Sequence, residues 1–194
     1  MSNAYKSLVP NLSSKQKEIE ISVLEIDKSK TIAKLKVLGA KQTQKELLKV
    51  YWYCYIGDNP EDLPWFLRVR SYSDKKFEVT WKSRSRKDSH SRSHKEINFI
   101  VNNIHEIKEF FEAIGMEMYA HQEKERISFT LKDWKFDIDT YPNIPTYIEI
   151  EGINNKHIQE ALKLLGLQNN PIWNQGERLL IDNYYHKNWY DLKF

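Results

Sequence analysis

Eight segments of this chain alternate apolar side chains with charged or hydroxylated ones at a period of two, and several of them gather like charges on one side. That period is the mark of a β-strand, whose residues i and i+2 share a face. From Lys17 to Ile26, Glu18, Glu20 and Ser22 alternate with Ile19, Ile21 and Val23. From Glu46 to Ile56, Leu48, Val50, Trp52, Cys54 and Ile56 oppose Lys49, Tyr51, Tyr53 and Tyr55. Trp65 to Tyr72 sets Arg68 and Arg70 against Leu67 and Val69, and Phe77, Val79 and Trp81 then alternate with Glu78, Thr80, Lys82 and Arg84. Glu96 to Val101 reads as a further strand. Met118 to Leu131 places Lys124, Arg126, Ser128 and Thr130 opposite Ile127, Phe129 and Leu131. Trp134, Phe136 and Ile138 alternate with Lys135, Asp137 and Asp139, and Ile148 and Ile150 with Glu149 and Glu151.

Three helices interrupt the strands. Asp27 is placed to cap one whose apolar positions Ile32, Leu35 and Leu38 recur every three residues before Gly39. Ile104, Ile107, Phe111 and Ile114 mark a second, closed by Gly115, and Ile158, Leu162 and Leu165 a third, ending at Gly166. Residues 1–16 then form an N-terminal extension, 17–166 the domain, and 167–194 an aromatic-rich tail that packs on the same domain. Ser83 to Lys95 is too polar to bury surface and is expected to be a mobile hairpin loop.

An amphipathic strand with its polar face in water would account for each segment alone. Segregation of sign calls for more. Two like charges about 6 Å apart repel by roughly 3 kcal/mol at an effective dielectric near 20, so repeated pairs on one face oppose folding unless a ligand compensates. Eight antiparallel strands can close a barrel just wide enough for side chains or one small ligand. The expected fold is therefore α+β: an eight-stranded antiparallel β tunnel, a closed barrel with a polar charged interior and helices packed outside. Carboxylate pairs suit Mg²⁺ or Mn²⁺, and clustered Arg and Lys suit phosphates, which together serve phosphoryl or nucleotidyl transfer.

These residues resemble the CYTH domains, or triphosphate tunnel metalloenzymes, which include class IV adenylyl cyclases, thiamine triphosphatases and inorganic triphosphatases. The resemblance runs from about Lys17 to Gly166. It rests on Glu18-Ile19-Glu20, on Leu67-Arg68-Val69-Arg70, and on Asp137-Ile138-Asp139-Thr140-Tyr141-Pro142 through Ile148-Glu149-Ile150-Glu151-Gly152. It implies that Glu18, Glu20, Asp139, Glu149 and Glu151 are metal ligands and that Arg68, Arg70, Lys82 and Arg126 grip phosphates, with Glu18, Glu20, Lys82 and Arg126 at the centre of catalysis. Lys124 and Arg84 join the phosphate-binding set by alternation alone. Where the family's Glu-x-Glu-x-Lys signature ends in lysine, this chain has Ser22, and Lys187 from the tail is a candidate replacement.

The implied activity is metal-dependent hydrolysis of an inorganic or organic triphosphate. The alternatives are cyclisation of ATP to cyclic AMP and pyrophosphate, a catalytically weakened polyphosphate binder, and an RNA-binding module using Arg68 to Lys95 with Trp65, Tyr72 and Trp81 interleaved. No run of about 18 apolar residues is available to span a bilayer, and the lone Cys54 suits a reducing compartment, so a cytoplasmic protein without a membrane partner is expected. A homodimer is compatible with the sequence. His90 and His94 lack the third ligand of a zinc site, and no nucleophile elbow or glycine-rich phosphate loop is present. A net charge of +3 is too balanced to indicate a nucleic-acid binder from charge alone.

Overall fold

The computed structural model describes residues 19–73, 76–83 and 96–194. Glu18, Arg84, His90, His94, the extension 1–16 and the expected loop beyond Ser83 lie outside the described residues.

The elements run β1 (Ile19–Val23), α1 (Lys28–Val37), β2 (Lys41–Tyr55), β3 (Trp65–Ser73), β4 (Lys76–Ser83), β5 (Glu96–Val101), α2 (Ile104–Ala113), β6 (Met116–Leu131), β7 (Trp134–Thr140), β8 (Tyr147–Gly152), α3 (Asn155–Leu165), β9 (Ile172–Trp173) and β10 (Asp191–Leu192). Between β9 and β10, a helical turn at Glu177–Leu179 continues into a π-helical turn at Leu180–Tyr184. The helix signals act as expected. Asp27 accepts from the Lys30 N–H at 2.9 Å at the start of α1, and Gly166 ends α3 in the left-handed region at φ 74°.

All strands but β10 form one antiparallel sheet in the order β5-β4-β3-β2-β6-β7-β8-β1-β9, and β10 adds a parallel pairing to β6. The expected closed barrel is corrected here. Among the described residues β5 pairs only with β4 and β9 only with β1, so the sheet is open at both ends. Its charged side is covered instead by the C-terminal segment, whose Leu180, Ile181 and Trp189 bury themselves with Leu48, Val50 and Trp52 of β2. Apolar side chains on a strand face otherwise given to charge recruit this cover, because leaving them wet would forfeit roughly 1.5–3 kcal/mol for each large one.

The opposite side of the sheet carries the main cores. Val23, Ile127, Phe129, Phe136, Ile138, Ile148 and Ile150 pack beneath Leu35 of α1 and Ile158, Ala161 and Leu162 of α3. Leu67, Val69, Phe77 and Val79 pack beneath Phe111 of α2. Cys54 is buried, and burial pushes its thiol up, consistent with a packing role. No helix among the described residues is long and apolar enough to cross a membrane.

Candidate functional site

Residues paired across antiparallel strands share a face, so the strand registers trace one continuous charged surface. Glu96 faces Lys82 across β5 and β4. Glu78 faces Arg70 and Thr80 faces Arg68 across β4 and β3. Arg68 and Arg70 face Trp52 and Val50 of β2, which in turn lie beside Ala120 and Gln122 of β6. Arg126 faces Asp139, Ser128 faces Asp137, Asp137 faces Glu149, and Ser22 faces Glu149 with Glu20 opposite Glu151. Every described residue expected to bind metal or phosphate is on this face. Bases come mainly from β3, β4 and β6, and acids mainly from the adjacent strands β7, β8 and β1, with Glu78 and Glu96 the acids among the bases. The two groups meet between β6 and β7.

At that meeting the groups interlock. Arg126 donates from Nε to Asp139 Oδ1 at 2.7 Å and from Nη2 to Asp139 Oδ2 at 2.5 Å. It also donates from Nη1 to Asp137 at 2.8 Å and from Nη2 to Glu149 at 2.8 Å. Lys124 Nζ lies 2.9 Å from Asp139 Oδ2 and 2.5 Å from Glu177 Oε2. Tyr147 O–H donates to Glu177 at 3.0 Å, and Ser128 Oγ–H donates to Asp137 at 2.6 Å. Asp139 and Lys124 are 0% and 4% exposed, a depth at which charges persist only when paired.

The electrostatics follow from that pairing. Burial raises the Asp139 carboxyl, but Arg126 and Lys124 outweigh it and hold Asp139 at about 2. Burial also dominates at Glu149, where Arg126 pulls the carboxyl down, Asp139 pushes it up, and the result is about 7. Four carboxylates, from Asp137, Asp139, Glu149 and Glu177, thus press on two cations, Lys124 and Arg126. One oxygen from each of Asp139, Glu149 and Glu177 lies within 4.8 Å of the others. An all-oxygen donor set with surplus negative charge fits a hard divalent cation.

The basic side differs. Arg70 donates to Tyr72 Oη at 3.0 Å and sits 3.7 Å from Glu78, while Lys82 lies 3.3 Å from Glu96. The Arg68 guanidinium lies 5.7 Å from the centre of the Trp52 ring, and its Nε is buried without a hydrogen-bond partner. Burial and the neighbouring Arg70 pull Arg68 down to about 10. Such a buried orphan donor wants an anion. Of the aromatics considered for RNA, Trp65 and Trp81 alternate onto the face opposite Arg68 and Arg70 and pack against the core beneath α2. Tyr72 shares the arginines' face and is held between Arg70 and Glu78.

Glu20 and Glu151 face each other at the acidic edge, where Glu151 accepts from Lys135 at 3.0 Å. Ser22 is 5% exposed between Glu149 and Trp173. Lys187 is exposed, and the side chain that the tail delivers to the cluster is Glu177. Glu177 and Tyr147 were not among the expected site residues. Tyr147 was findable, two residues before Glu149 on the same strand; Glu177 follows Gly176 in a stretch without periodicity.

No family model matches the chain. A candidate adenylate cyclase of Methanocaldococcus jannaschii is 26% identical over 164 residues, which make up 80% of this chain and 93% of that protein. A conserved hypothetical protein of Pyrococcus furiosus matches with a TM-score of 0.68 at 22% identity, covering 84% of this chain and 99% of the other. A candidate adenylyl cyclase from Hippeastrum, described as having a dominant triphosphatase activity, matches with a TM-score of 0.62 at 14% identity over 88% of this chain and 96% of its own.

Proposed function

We propose that this chain, a CYTH-like protein of the triphosphate tunnel metalloenzyme kind, is a divalent-metal-dependent phosphohydrolase acting on an inorganic or organic triphosphate. One observation carries the reading: the charged face is divided, with the buried, unpartnered Nε of Arg68 on its basic side and four carboxylates crowding two cations on its acidic side. A polyphosphate with its cation complements both halves at once.

In this reading Arg68, Arg70 and Lys82 receive phosphate oxygens, with Lys124, Arg126 and Arg84 completing the set. Asp139 and Glu149, with Glu18, Glu20 and Glu151, hold Mg²⁺ or Mn²⁺. Bound there, the cation would neutralise phosphate charge and polarise the phosphorus–oxygen bonds. The protein's own part is positioning. Arg126 is held by three carboxylates, which fix where its charge sits when a phosphate arrives, and positioning of that kind is where most phosphoryl-transfer catalysis lies. Water attacks a phosphorus in line with the departing phosphate.

Cyclisation of ATP is the second reading, favoured by the adenylate cyclase names of the relatives. The ribose 3′-hydroxyl would attack the α-phosphate on the same clamp and pyrophosphate would leave. The deciding test is a panel of tripolyphosphate, ATP and thiamine triphosphate, each with Mg²⁺ or Mn²⁺, assayed for phosphate, pyrophosphate and cyclic AMP. Phosphate from tripolyphosphate supports the first reading, cyclic AMP with pyrophosphate the second. No product from any pair rejects both.

A further inference from the structure

Among the described residues, Glu177 is the one carboxylate of the central cluster that does not come from the sheet. It arrives on a segment anchored at several points. Leu180, Ile181 and Trp189 are buried against β2, and Gln122 donates from Nε2 to the Trp189 carbonyl at 2.6 Å while accepting from the Trp52 ring N–H. Glu61, in the connection between β2 and β3, pairs with Arg178 and accepts from the Tyr190 O–H at 2.5 Å. The anchored segment delivers Glu177 Oε2 to 2.5 Å from Lys124 Nζ and 3.0 Å from Tyr147 Oη. A carboxylate oxygen there takes the place on Lys124 that a phosphate oxygen would take, since both are anionic acceptors for the same ammonium donor.

Building on the triphosphate reading, we infer that Glu177 is a specificity-determining residue, an internal anion that competes with substrate phosphate for Lys124 and so selects cation-complexed triphosphates over free ones. The selection follows from the two destinations open to this carboxylate. Its oxygen lies within 4.8 Å of ligand oxygens of Asp139 and Glu149. With a cation held beside Asp139 and Glu149, Glu177 would have a second partner and Lys124 would be released to the phosphate. A free polyphosphate brings no such partner and must displace Glu177 against like charge. The linkage is reciprocal: phosphate on Lys124 frees Glu177 for the cation, so each ligand tightens the other.

The test is calorimetric binding of tripolyphosphate, in EDTA and in Mg²⁺, by the natural protein and Glu177→Gln. The variant should bind tripolyphosphate at least tenfold more tightly in EDTA and within a few fold of the natural protein in Mg²⁺, so that the preference for the Mg²⁺ condition shrinks at least tenfold. In a Lys124→Met background, adding Glu177→Gln should change the EDTA affinity little, because the competition acts through that lysine. Glu61→Gln separates charge from bulk, since it loosens the segment's anchor while leaving the Glu177 charge, and it should leave the EDTA affinity near that of the natural protein. If Glu61→Gln tightens binding as much as Glu177→Gln, the segment acts as a steric lid and the inference fails. Equal EDTA affinities for the natural protein and Glu177→Gln, with binding still lost in Arg68→Ala, would reject the competition and leave the triphosphate reading standing. No binding by any protein in either condition would reject both.

Discussion

Arg126 and Asp139 lie directly opposite each other on β6 and β7 and form a two-pronged, charge-assisted contact, Nε to Oδ1 at 2.7 Å and Nη2 to Oδ2 at 2.5 Å. Guanidinium and carboxylate planes match in this geometry, which lysine cannot reproduce. Removing one member of a buried pair leaves the other uncompensated, at a cost of about 3–5 kcal/mol. Arg126→Ala should therefore lower stability by an amount in that range, and Arg126→Lys by less, in chemical denaturation. A loss below about 1 kcal/mol for the alanine variant would mean that Lys124 alone suffices for Asp139.

Glu149 supplies a pH test of the metal-free protein. Its carboxyl is raised in the folded state to about 7 from an ordinary 4.5, so folding favours its protonated form. That contribution is complete below about pH 4.5, fades as pH rises toward 7, and is absent above it. Glu149→Gln, which removes the ionisation, should leave stability near pH 4.5 almost unchanged and raise it above pH 7 by about 2 to 3 kcal/mol. Denaturant midpoints measured in EDTA across pH 4 to 8 decide this, and a gain confined to the acid end would have the wrong sign.

Arg68 and Arg70 should separate. If both grip phosphate, alanine at either position weakens binding by about 1.5 to 3 kcal/mol per lost charge-assisted bond. The Nε of each is buried without a hydrogen-bond partner, but Arg70 also has Tyr72 and Glu78 as partners at its guanidinium tip. Arg68→Ala should therefore cost little or no stability and most of the tripolyphosphate affinity. Arg70→Ala should lower both. Unchanged tripolyphosphate affinity in Arg68→Ala, measured by calorimetry, would remove the anion site from β3.

The charged face was legible because period-two alternation is local: Arg68 with Arg70, or Glu149 with Glu151, are neighbours two residues apart, and a strand admits one arrangement for them. Alternation also placed Lys124 beside Arg126, where the structure finds it. The helices were legible for the same reason, since Asp27 and Gly166 act within one turn of where they sit. The start of β2 at Lys41 was not, because Lys41 to Lys45 is polar and its strand pairing is supplied by β6. The open sheet and the docked tail depend on contacts between residues far apart in sequence, such as Trp52 with Trp189 and Lys124 with Glu177. An aromatic-rich segment announces burial but not its partner. That is why the sequence offered a tail lysine only as a candidate for the site, and a glutamate is found there.

Ser22 carries the last prediction. The CYTH signature sets a lysine at this position, on the strand face shared with Glu20. Here the hydroxyl is 5% exposed and faces Glu149, so a lysine would enter a site with surplus carboxylate and would find an anionic partner for its ammonium. The natural protein should consequently turn triphosphates over slowly, because no hydroxyl supplies the missing charge and Lys187 points to solvent rather than filling the gap. Ser22→Lys should raise steady-state turnover of tripolyphosphate by tenfold or more, for which about 1.4 kcal/mol of added transition-state stabilisation suffices. Substrate affinity should rise less than turnover if the added charge acts mainly in the transition state. A natural protein already fast, with Ser22→Lys neutral or harmful at unchanged melting temperature, would show that the lysine's role is filled by another basic side chain of the face.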